Sequence, residues 1–169
     1  QTLSQLAKDT NENIRYEVAT NRSTPSSVLQ NLANDSKEKV RQAVASHANT
    51  ADETVAQLAK DSVIGVRKTV AYRATTPVQV LDLLAKDSDT GVRSIIAGHR
   101  KTPETTLAQL AQDKDLNVRM AVLSNPNLTP KVRDIVVSQG LNSDMMMQLA
   151  QDHRTPTSTL EQFAPKADS

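Results

Sequence analysis

Five aspartates in this 169-residue chain each stand six positions ahead of an arginine. The pairs are Asp9/Arg15, Asp35/Arg41, Asp61/Arg67, Asp87/Arg93 and Asp113/Arg119. Carboxylates and guanidinium groups can form charge-assisted ion pairs, or they can serve as catalytic or phosphate-binding groups. A reactive site is needed once, whereas this motif recurs along the chain. We therefore interpret the ten residues as a structural ladder of ion pairs.

The five ladder arginines follow one another at a spacing of 26, and other residues recur at this same interval. Leu-Ala pairs keep this spacing and begin at Leu6, Leu32, Leu58, Leu84 and Leu110. Thr-Pro pairs also keep it, at Thr24-Pro25, Thr76-Pro77 and Thr102-Pro103, with Thr50-Ala51 as a variant. One inserted residue after Asn125 shifts the frame, so the next pairs are Thr129-Pro130 and Thr155-Pro156. This periodicity indicates an internal repeat.

Each unit has two sets of apolar residues, which is typical of two short helices joined by a turn. In the second unit, Leu29, Leu32 and Ala33 lie at i, i+3 and i+4, and the same spacing restarts at Val40. The Thr-Pro pair predicts the start of the first helix, with Thr as the cap and Pro in the first helical position. Thr50 and Glu53 predict a capping box.

The predicted fold class is all-α, a solenoid of about six two-helix units within a single domain at 1–169. The expected units are approximately 1–24, 25–50, 51–76, 77–102, 103–129 and 130–155, with a partial unit at 156–164 and a tail at 165–169. The sixth unit is degenerate, because Gly140 stands in the place of Asp and Met145-Met146-Met147 replaces the aliphatic-Arg pair. Repeats are expected to continue in a longer chain.

The Asp and Arg of a unit both fall around the turn between its two helices. There the Asp is expected to accept hydrogen bonds from the open N-terminus of the second helix, which also favours negative charge. Arg is less favoured near that positive end. Its expected partner is the Asp of its own or of the adjacent unit.

The stretch LLAKDSDTGVRSIIA resembles the Leu, Asp and Val-Arg core of HEAT-type helical repeats. The Thr-Pro units, with Asn125-Pro126 ahead of Thr129-Pro130, resemble leucine-rich repeat variant units. The resemblance implies a right-handed superhelix of paired helices with the Asp and Arg as the inter-repeat ladder. It also implies that one element of each unit can be a 3₁₀ helix, and that the protein acts as a binding scaffold.

Residues that vary between units are candidates for binding a partner, since the repeated ones serve the fold. The position after each ladder arginine holds Tyr16, Gln42, Lys68, Ser94 and Met120. Another row holds Thr20, Ser46, Tyr72, Gly98 and Ser124. If the second helices line the concave side, these rows form a groove with aromatic and Met anchors. The alternative is unselected variation on a solvent-facing surface.

The turns between units are predicted to form a basic edge, which offers a second candidate surface. Its members are Arg22, Arg73, Arg100, Lys101, Arg154, His47, His99 and His153, and Arg73, His99, Arg100 and Lys101 are its candidate binding residues. Such an edge suits an acidic protein or a nucleic-acid backbone. Aromatic platforms for unpaired bases are scarce, at 2% of the chain. A protein or peptide is therefore the expected partner, with nucleic acid as the alternative.

Several functions are disfavoured by residue content. The chain has no cysteine, and its formal net charge of +1 gives no global field toward nucleic acid or lipid. It shows no leader-like start or membrane-length apolar run, so no membrane partner is expected. His47 and His99 lie two units apart, too far to share a metal. We expect a non-enzymatic protein without metal or cofactor, in an undetermined compartment.

Overall fold

The computed structural model of the chain describes residues 2–162. This part of the chain contains thirteen α-helices and no β-strand. They are α1 (Leu3–Leu6), α2 (Glu12–Thr20), α3 (Ser26–Leu32), α4 (Glu38–Ser46), α5 (Asp52–Leu58), α6 (Ile64–Tyr72), α7 (Val78–Leu84), α8 (Thr90–Gly98), α9 (Glu104–Leu110), α10 (Leu116–Leu123), α11 (Pro130–Ser138), α12 (Ser143–Gln151) and α13 (Thr157–Glu161).

The helices form pairs that stack along the chain, and the two members of a pair pack differently. The second helices α2, α4, α6, α8 and α10 lie directly against one another in that order. The first helices make most of their contacts with the second helices beside them. One continuous apolar core separates the two layers and includes Leu29, Leu81 and Leu107 with Val44 and Ile96. The prediction of an all-α helical-repeat solenoid is confirmed.

The first helices do not begin as predicted. Pro25 and Ala51 are N-cap residues, and neither receives a side-chain cap bond from its helix. Thr24 and Thr50 instead donate their Oγ1 hydroxyls over 2.6 Å to main-chain carbonyls in the last turn of the preceding helix. Thr76 and Thr102 do the same. The predicted Thr caps and the capping box at Glu53 are wrong, because these hydroxyls satisfy helix C-termini, where carbonyls lack partners.

One helix start does follow the prediction. Thr129 is the N-cap of α11, its side chain accepts a hydrogen bond from the Val132 main chain, and Pro130 takes the first helical position. This occurs directly after the inserted residue, where α11 is two residues longer than α9. The insertion thus changes how the sixth pair begins.

The aspartate before each second helix organises the turn that leads into it. Asp35 Oδ1 accepts a 2.9 Å hydrogen bond from the main-chain N–H of Lys37, which is the N-cap of α4. Asp9, Asp61, Asp87 and Asp113 accept the equivalent bond. The aspartates therefore bind the main-chain N–H of the N-cap residue. The sequence analysis had instead predicted bonds from the first N–H groups of the helix itself. Both elements of each pair are α-helical, so the 3₁₀ element implied by the resemblance is not formed in residues 2–162.

Candidate interaction surface

Four ladder arginines bind the aspartate of the next helix pair, 20 residues further on. The pairs are Arg15/Asp35, Arg41/Asp61, Arg67/Asp87 and Arg93/Asp113. In each pair the Arg Nε and Nη2 donate to the two carboxylate oxygens, over 2.6–2.7 Å and 2.8–3.1 Å. Nη1 donates to the main-chain carbonyl of the aspartate six residues earlier, over 2.7–2.9 Å. One guanidinium thus joins two successive turns.

The ladder charges are shielded from solvent. The side chain of Arg15 is 13% exposed and that of Asp35 is 5% exposed. The hydrogen bond from Arg15 lowers the pKa of Asp35, and the bond to Asp35 raises the pKa of Arg15. Both groups are therefore held in their charged states. Because they hydrogen-bond to each other, few of their polar atoms remain free to bind a reacting ligand.

The ladder has four ion pairs within residues 2–162, each with the aspartate of the adjacent unit, so Asp9 and Arg119 take no part in an ion pair there. Asp9 binds no ladder arginine within residues 2–162, and its carboxylate accepts a hydrogen bond from the Asn11 main chain. Arg119 donates Nη1 to the carbonyls of Asp113 and Lys114, yet its buried Nε has no partner within residues 2–162. The physical reason is that neither Gln139, 20 residues after Arg119, nor Gly140, which takes the aspartate position in the frame shifted by the inserted residue, has a carboxylate.

A second set of inter-pair hydrogen bonds was missed by the sequence analysis. Asn21, His47, Arg73, His99 and Asn125 recur at intervals of 26, at the C-terminal ends of the second helices. We call these five residues the C-cap row. Each of the last four contacts the main-chain carbonyl of the member before it, at distances of 2.9, 2.6, 3.1 and 3.2 Å in chain order. The row therefore ties helix ends together opposite the ladder.

The two C-cap histidines have defined proton positions. His47 Nε2 faces a carbonyl, which can only accept, while His47 Nδ1 faces the Asn49 main-chain N–H at 3.0 Å, which can only donate. His99 makes the same two contacts, with Lys101 as the donor at 3.1 Å. In both rings Nε2 is therefore the donor and Nδ1 the acceptor. Neither ring nitrogen is left for a metal, and residues 2–162 contain no cluster of three or more metal-ligating side chains.

Two candidate binding residues of the basic edge, one buried and one half-buried, make hydrogen bonds within the stack. His99 is buried, and Arg73 donates to the carbonyls of Ala45 and His47. Burial lowers the pKa of Arg73. Both side chains already satisfy main-chain carbonyls, and their role in partner binding stays a prediction. The positions of the C-cap row share a side chain that carries an N–H donor. The sequence analysis missed this pattern because three residue types, Asn, His and Arg, supply the donor.

Arg22, Arg100 and Lys101 of the predicted basic edge are exposed. Arg154 instead lies 2.9 Å from Asp152, which offsets its charge, and this contact lowers the pKa of Asp152 to about 2. The edge is therefore less basic than the sequence suggested.

A cleft with a volume of about 750 Å³ lies between α6 and α8. Ala71, Ile95 and Gly98 contribute apolar surface to its lining, and Tyr72 borders it with 72% of its surface exposed. A side chain at Gly98 would meet no heavy atom within 4 Å of its Cβ, so the absence of a side chain there keeps the cleft open.

Polar candidates also border this cleft. Lys68, Ser94 and Arg100 line it, and Lys68 Nζ lies 3.3 Å from Asp89. Gly91 makes room for Lys68, because a Cβ at this position would lie 2.8 Å from the ammonium nitrogen. The structure therefore brings five of the predicted binding residues together at one cleft: Lys68, Tyr72, Ser94, His99 and Arg100.

The other predicted groove residues lie elsewhere. Tyr16 is 37% exposed on α2, with the Lys39 ammonium 6.0 Å from its ring centre. Gln42 is half-buried and donates to Glu38 on its own helix. Met120 is half-buried and packs against the core, and its role as an anchor stays a prediction.

The C-terminal pairs depart from the repeat in their core. Arg133 is only 1% exposed, and its Nε and Nη1 have no hydrogen-bond partner in the described chain. Counted from the N-cap of each first helix, the same place holds Leu29, Val55, Leu81 and Leu107. Met145 is buried while Met147 is 59% exposed, so the three methionines do not form one surface patch.

Stacked helix pairs joined by two sets of periodic hydrogen bonds define a helical repeat scaffold. No described helix has the length and apolar character needed to cross a bilayer. No family model matches the chain, and no match is found among curated proteins.

Among solved structures, the chain is similar to a leucine-rich repeat variant described as having a novel repetitive structural motif. The two are 30% identical with a TM-score of 0.61, and the match covers 94% of this chain and 67% of that one. The chain is also similar to an engineered protein, at 17% identity and a TM-score of 0.43, over 95% of this chain and 91% of that one. The chain belongs to the leucine-rich repeat variant family.

Proposed function

We propose that this protein is a non-catalytic scaffold that binds a protein or peptide in the cleft between α6 and α8. The observation that carries the proposal is the exposure of Tyr72, at 72%, beside a cleft with apolar lining. Exposed aromatic side chains next to apolar depressions are typical anchors of protein interfaces. In the four other pairs the equivalent residue is Thr20, Ser46, Gly98 or Ser124, so Tyr72 is distinctive within its row.

The lining indicates the chemistry of the bound segment. Ala71, Ile95 and Gly98 favour an aliphatic or aromatic side chain. Lys68 and Arg100 supply positive charge around the same cleft, and only Lys68 has a close carboxylate, that of Asp89. A peptide that carries an apolar side chain next to an acidic one would match both features.

Nucleic acid is the less favoured partner. Arg73 and His99 satisfy main-chain carbonyls, so the inter-pair turns present fewer free cations than their sequence suggests. Stacking of unpaired bases requires several aromatic platforms, whereas Tyr72 stands alone at the cleft.

Selection of a random displayed peptide library on the intact chain tests the proposal. Selected peptides should lose binding to Tyr72→Ala and to Gly98→Leu, which fills the cleft at a position with open space for a side chain. Tyr16→Ala is the matched control, because it removes an exposed tyrosine from another second helix. Circular dichroism of each variant shows whether the fold is retained.

Peptides that bind Tyr72→Ala and Gly98→Leu as tightly as the unchanged chain would contradict the cleft as the binding site. A parallel titration with single-stranded RNA and duplex DNA at low salt tests the alternative. Binding that falls steeply with salt and with Arg100→Glu would favour nucleic acid.

A further inference from the structure

Arg119 holds the same position in its helix as the four paired arginines, and its Nη1 atom makes the same kind of hydrogen bond. Its Nη1 donates to the Asp113 carbonyl over 2.8 Å, as Arg93 Nη1 donates to the Asp87 carbonyl over 2.9 Å. A second contact follows in both cases, to the carbonyl of the next residue. These hydrogen bonds to the turn before α10 therefore hold the Arg119 guanidinium in place without a carboxylate.

The outer edge of this guanidinium lacks the ligand that its counterparts bind. Arg93 Nε and Nη2 bind the two carboxylate oxygens of Asp113 over 2.6 and 3.1 Å. Arg119 Nε is buried without a partner, and Arg119 Nη2 makes no hydrogen bond within residues 2–162. An orphaned buried donor on a charged group carries a substantial free-energy cost, which a carboxylate would remove.

The two aspartates in the turn that leads into α10 are already engaged. Asp113 binds Arg93 with both of its oxygens, and Asp115 accepts a hydrogen bond from the Asn117 main chain as the cap of α10. Gly140, in the place of the next aspartate, has a φ of +84°, and a Cβ added to it would meet no heavy atom within 4 Å. Residues 139–142 therefore supply no carboxylate to Arg119.

We propose that the Nε–Nη2 edge of Arg119 is a binding site for a carboxylate supplied from outside the helical stack. The carboxylate takes the position that an aspartate occupies in the four complete pairs and receives the same two hydrogen bonds. The site is separate from the cleft between α6 and α8, and its existence does not depend on the function proposed for that cleft.

The test uses ¹⁵N-labelled protein, residues 1–169, titrated with sodium acetate and, separately, with sodium chloride at equal ionic strength. The signals followed are the arginine Nε–H groups and the main-chain N–H groups of residues 139–141. Acetate should move the Arg119 Nε–H signal saturably, whereas the ladder arginines serve as internal controls because their carboxylates are already present. A concentration of about 100 mM is sufficient to occupy a site with a dissociation constant in the millimolar range.

A second titration distinguishes a free small carboxylate from a side chain of a peptide. The blocked tripeptide Ala-Asp-Ala should move the same signals if the site admits a side chain, and blocked Ala-Asn-Ala should not. A response to acetate alone supports a site for small carboxylates, while a response to both ligands supports a site that also accepts an aspartate.

Two substitutions test the geometry. Arg119→Lys keeps the charge but not the two-pronged donor, so acetate affinity read from residues 139–141 should fall about tenfold or more. Gly140→Asp should abolish the acetate response by supplying an internal carboxylate. Gly140→Asn is its matched control, because Asn also tolerates a positive φ but carries no charge, and it should retain the response.

The proposal is overturned if acetate and chloride have the same effect, if all five arginines respond alike, or if Arg119→Lys binds acetate as well as the unchanged chain. It is also overturned if Gly140→Asp responds to acetate as strongly as Gly140→Asn.

Discussion

Arg41 Nε lies 2.6 Å from Asp61 Oδ2, although the two residues are 20 positions apart in the chain. The same guanidinium donates Nη1 to the Asp35 carbonyl over 2.7 Å. Asp61 in turn accepts a hydrogen bond from the Val63 main chain. Arg41 therefore couples the turn of its own helix pair to the turn of the next, and the aspartate passes that constraint into the following helix.

Arg41→Leu should lower the free energy of unfolding by about 3 kcal/mol, because it leaves Asp61 poorly solvated and without its counter-charge. Urea unfolding followed by circular dichroism measures the change. Arg119→Leu is the control, since Arg119 has the same place in its helix and no aspartate partner, and it should cost less than about 1 kcal/mol. Equal losses in the two variants would show that the carboxylate contact contributes little.

His99→Leu should destabilise the stack by about 1–3 kcal/mol, because the Arg73 carbonyl and the Lys101 N–H both lose their partner. His99→Asn should retain most of the stability, since Asn125 performs the equivalent role from the same position of its helix. His153→Leu, at an exposed histidine, is the control and should leave the thermal midpoint nearly unchanged. A His99→Asn variant as unstable as His99→Leu would argue against the C-cap row.

Acid should weaken the stack. Hydrogen bonding by Arg15 lowers the pKa of Asp35 in the folded chain, so the unfolded chain takes up a proton at a higher pH than the folded chain does. This stabilisation is complete above the unfolded pKa of about 3.9 and is lost as the pH falls through the folded pKa. Asp152, whose folded pKa is about 2, acts in the same direction.

Chemical unfolding of the unchanged chain between about pH 5 and pH 2 measures this loss. Asp35→Asn should be less stable at neutral pH and should show a shallower pH dependence in that window. An unchanged slope in Asp35→Asn would mean that other carboxylates account for the acid sensitivity.

Arg133→Leu should stabilise the protein, in contrast to the loss expected at Arg41. The Arg133 side chain is almost fully buried, and two of its nitrogen atoms have no partner in the described structure. Leucine occupies the equivalent place in three other pairs. Replacing a buried charged group by a well-packed aliphatic one is expected to raise the unfolding free energy by roughly 1–4 kcal/mol. Lys131→Leu, at an exposed position of the same helix, is the control.

The helical architecture could be predicted because the length of the repeat and the spacing of its apolar residues can be read directly from the order of residues in the chain. Leu29 and Leu32, for example, mark one helix face without any knowledge of their neighbours. The direction of the ladder could not be obtained in this way. Asp35 lies 6 residues before Arg41 and Asp61 lies 20 residues after it, and the sequence allows either one as the ion-pair partner. The packed structure shows that Asp61 offers its carboxylate and Asp35 its main-chain carbonyl.

Other errors arose where one residue type has two possible hydrogen-bond partners. A threonine before proline can cap the helix that follows, but Thr24 instead donates to Val18 in the helix that precedes it. The C-cap row posed the reverse difficulty, since His47, Arg73 and Asn125 look unrelated and yet make the same kind of contact. A row of binding residues is harder still to predict, because exposure such as that of Tyr72 depends on which helices become neighbours.

The bonds between successive helix pairs join residues that are 20 positions apart in the ladder and 26 apart in the C-cap row. Copying or removing one whole 26-residue segment between Pro25 and Thr102 would bring the same residue types together at each new junction: arginine with aspartate, and a side-chain donor with a carbonyl. The chain can thus grow or shrink by internal duplication and deletion without a newly invented contact. A change of any other length would misalign both sets of bonds at once.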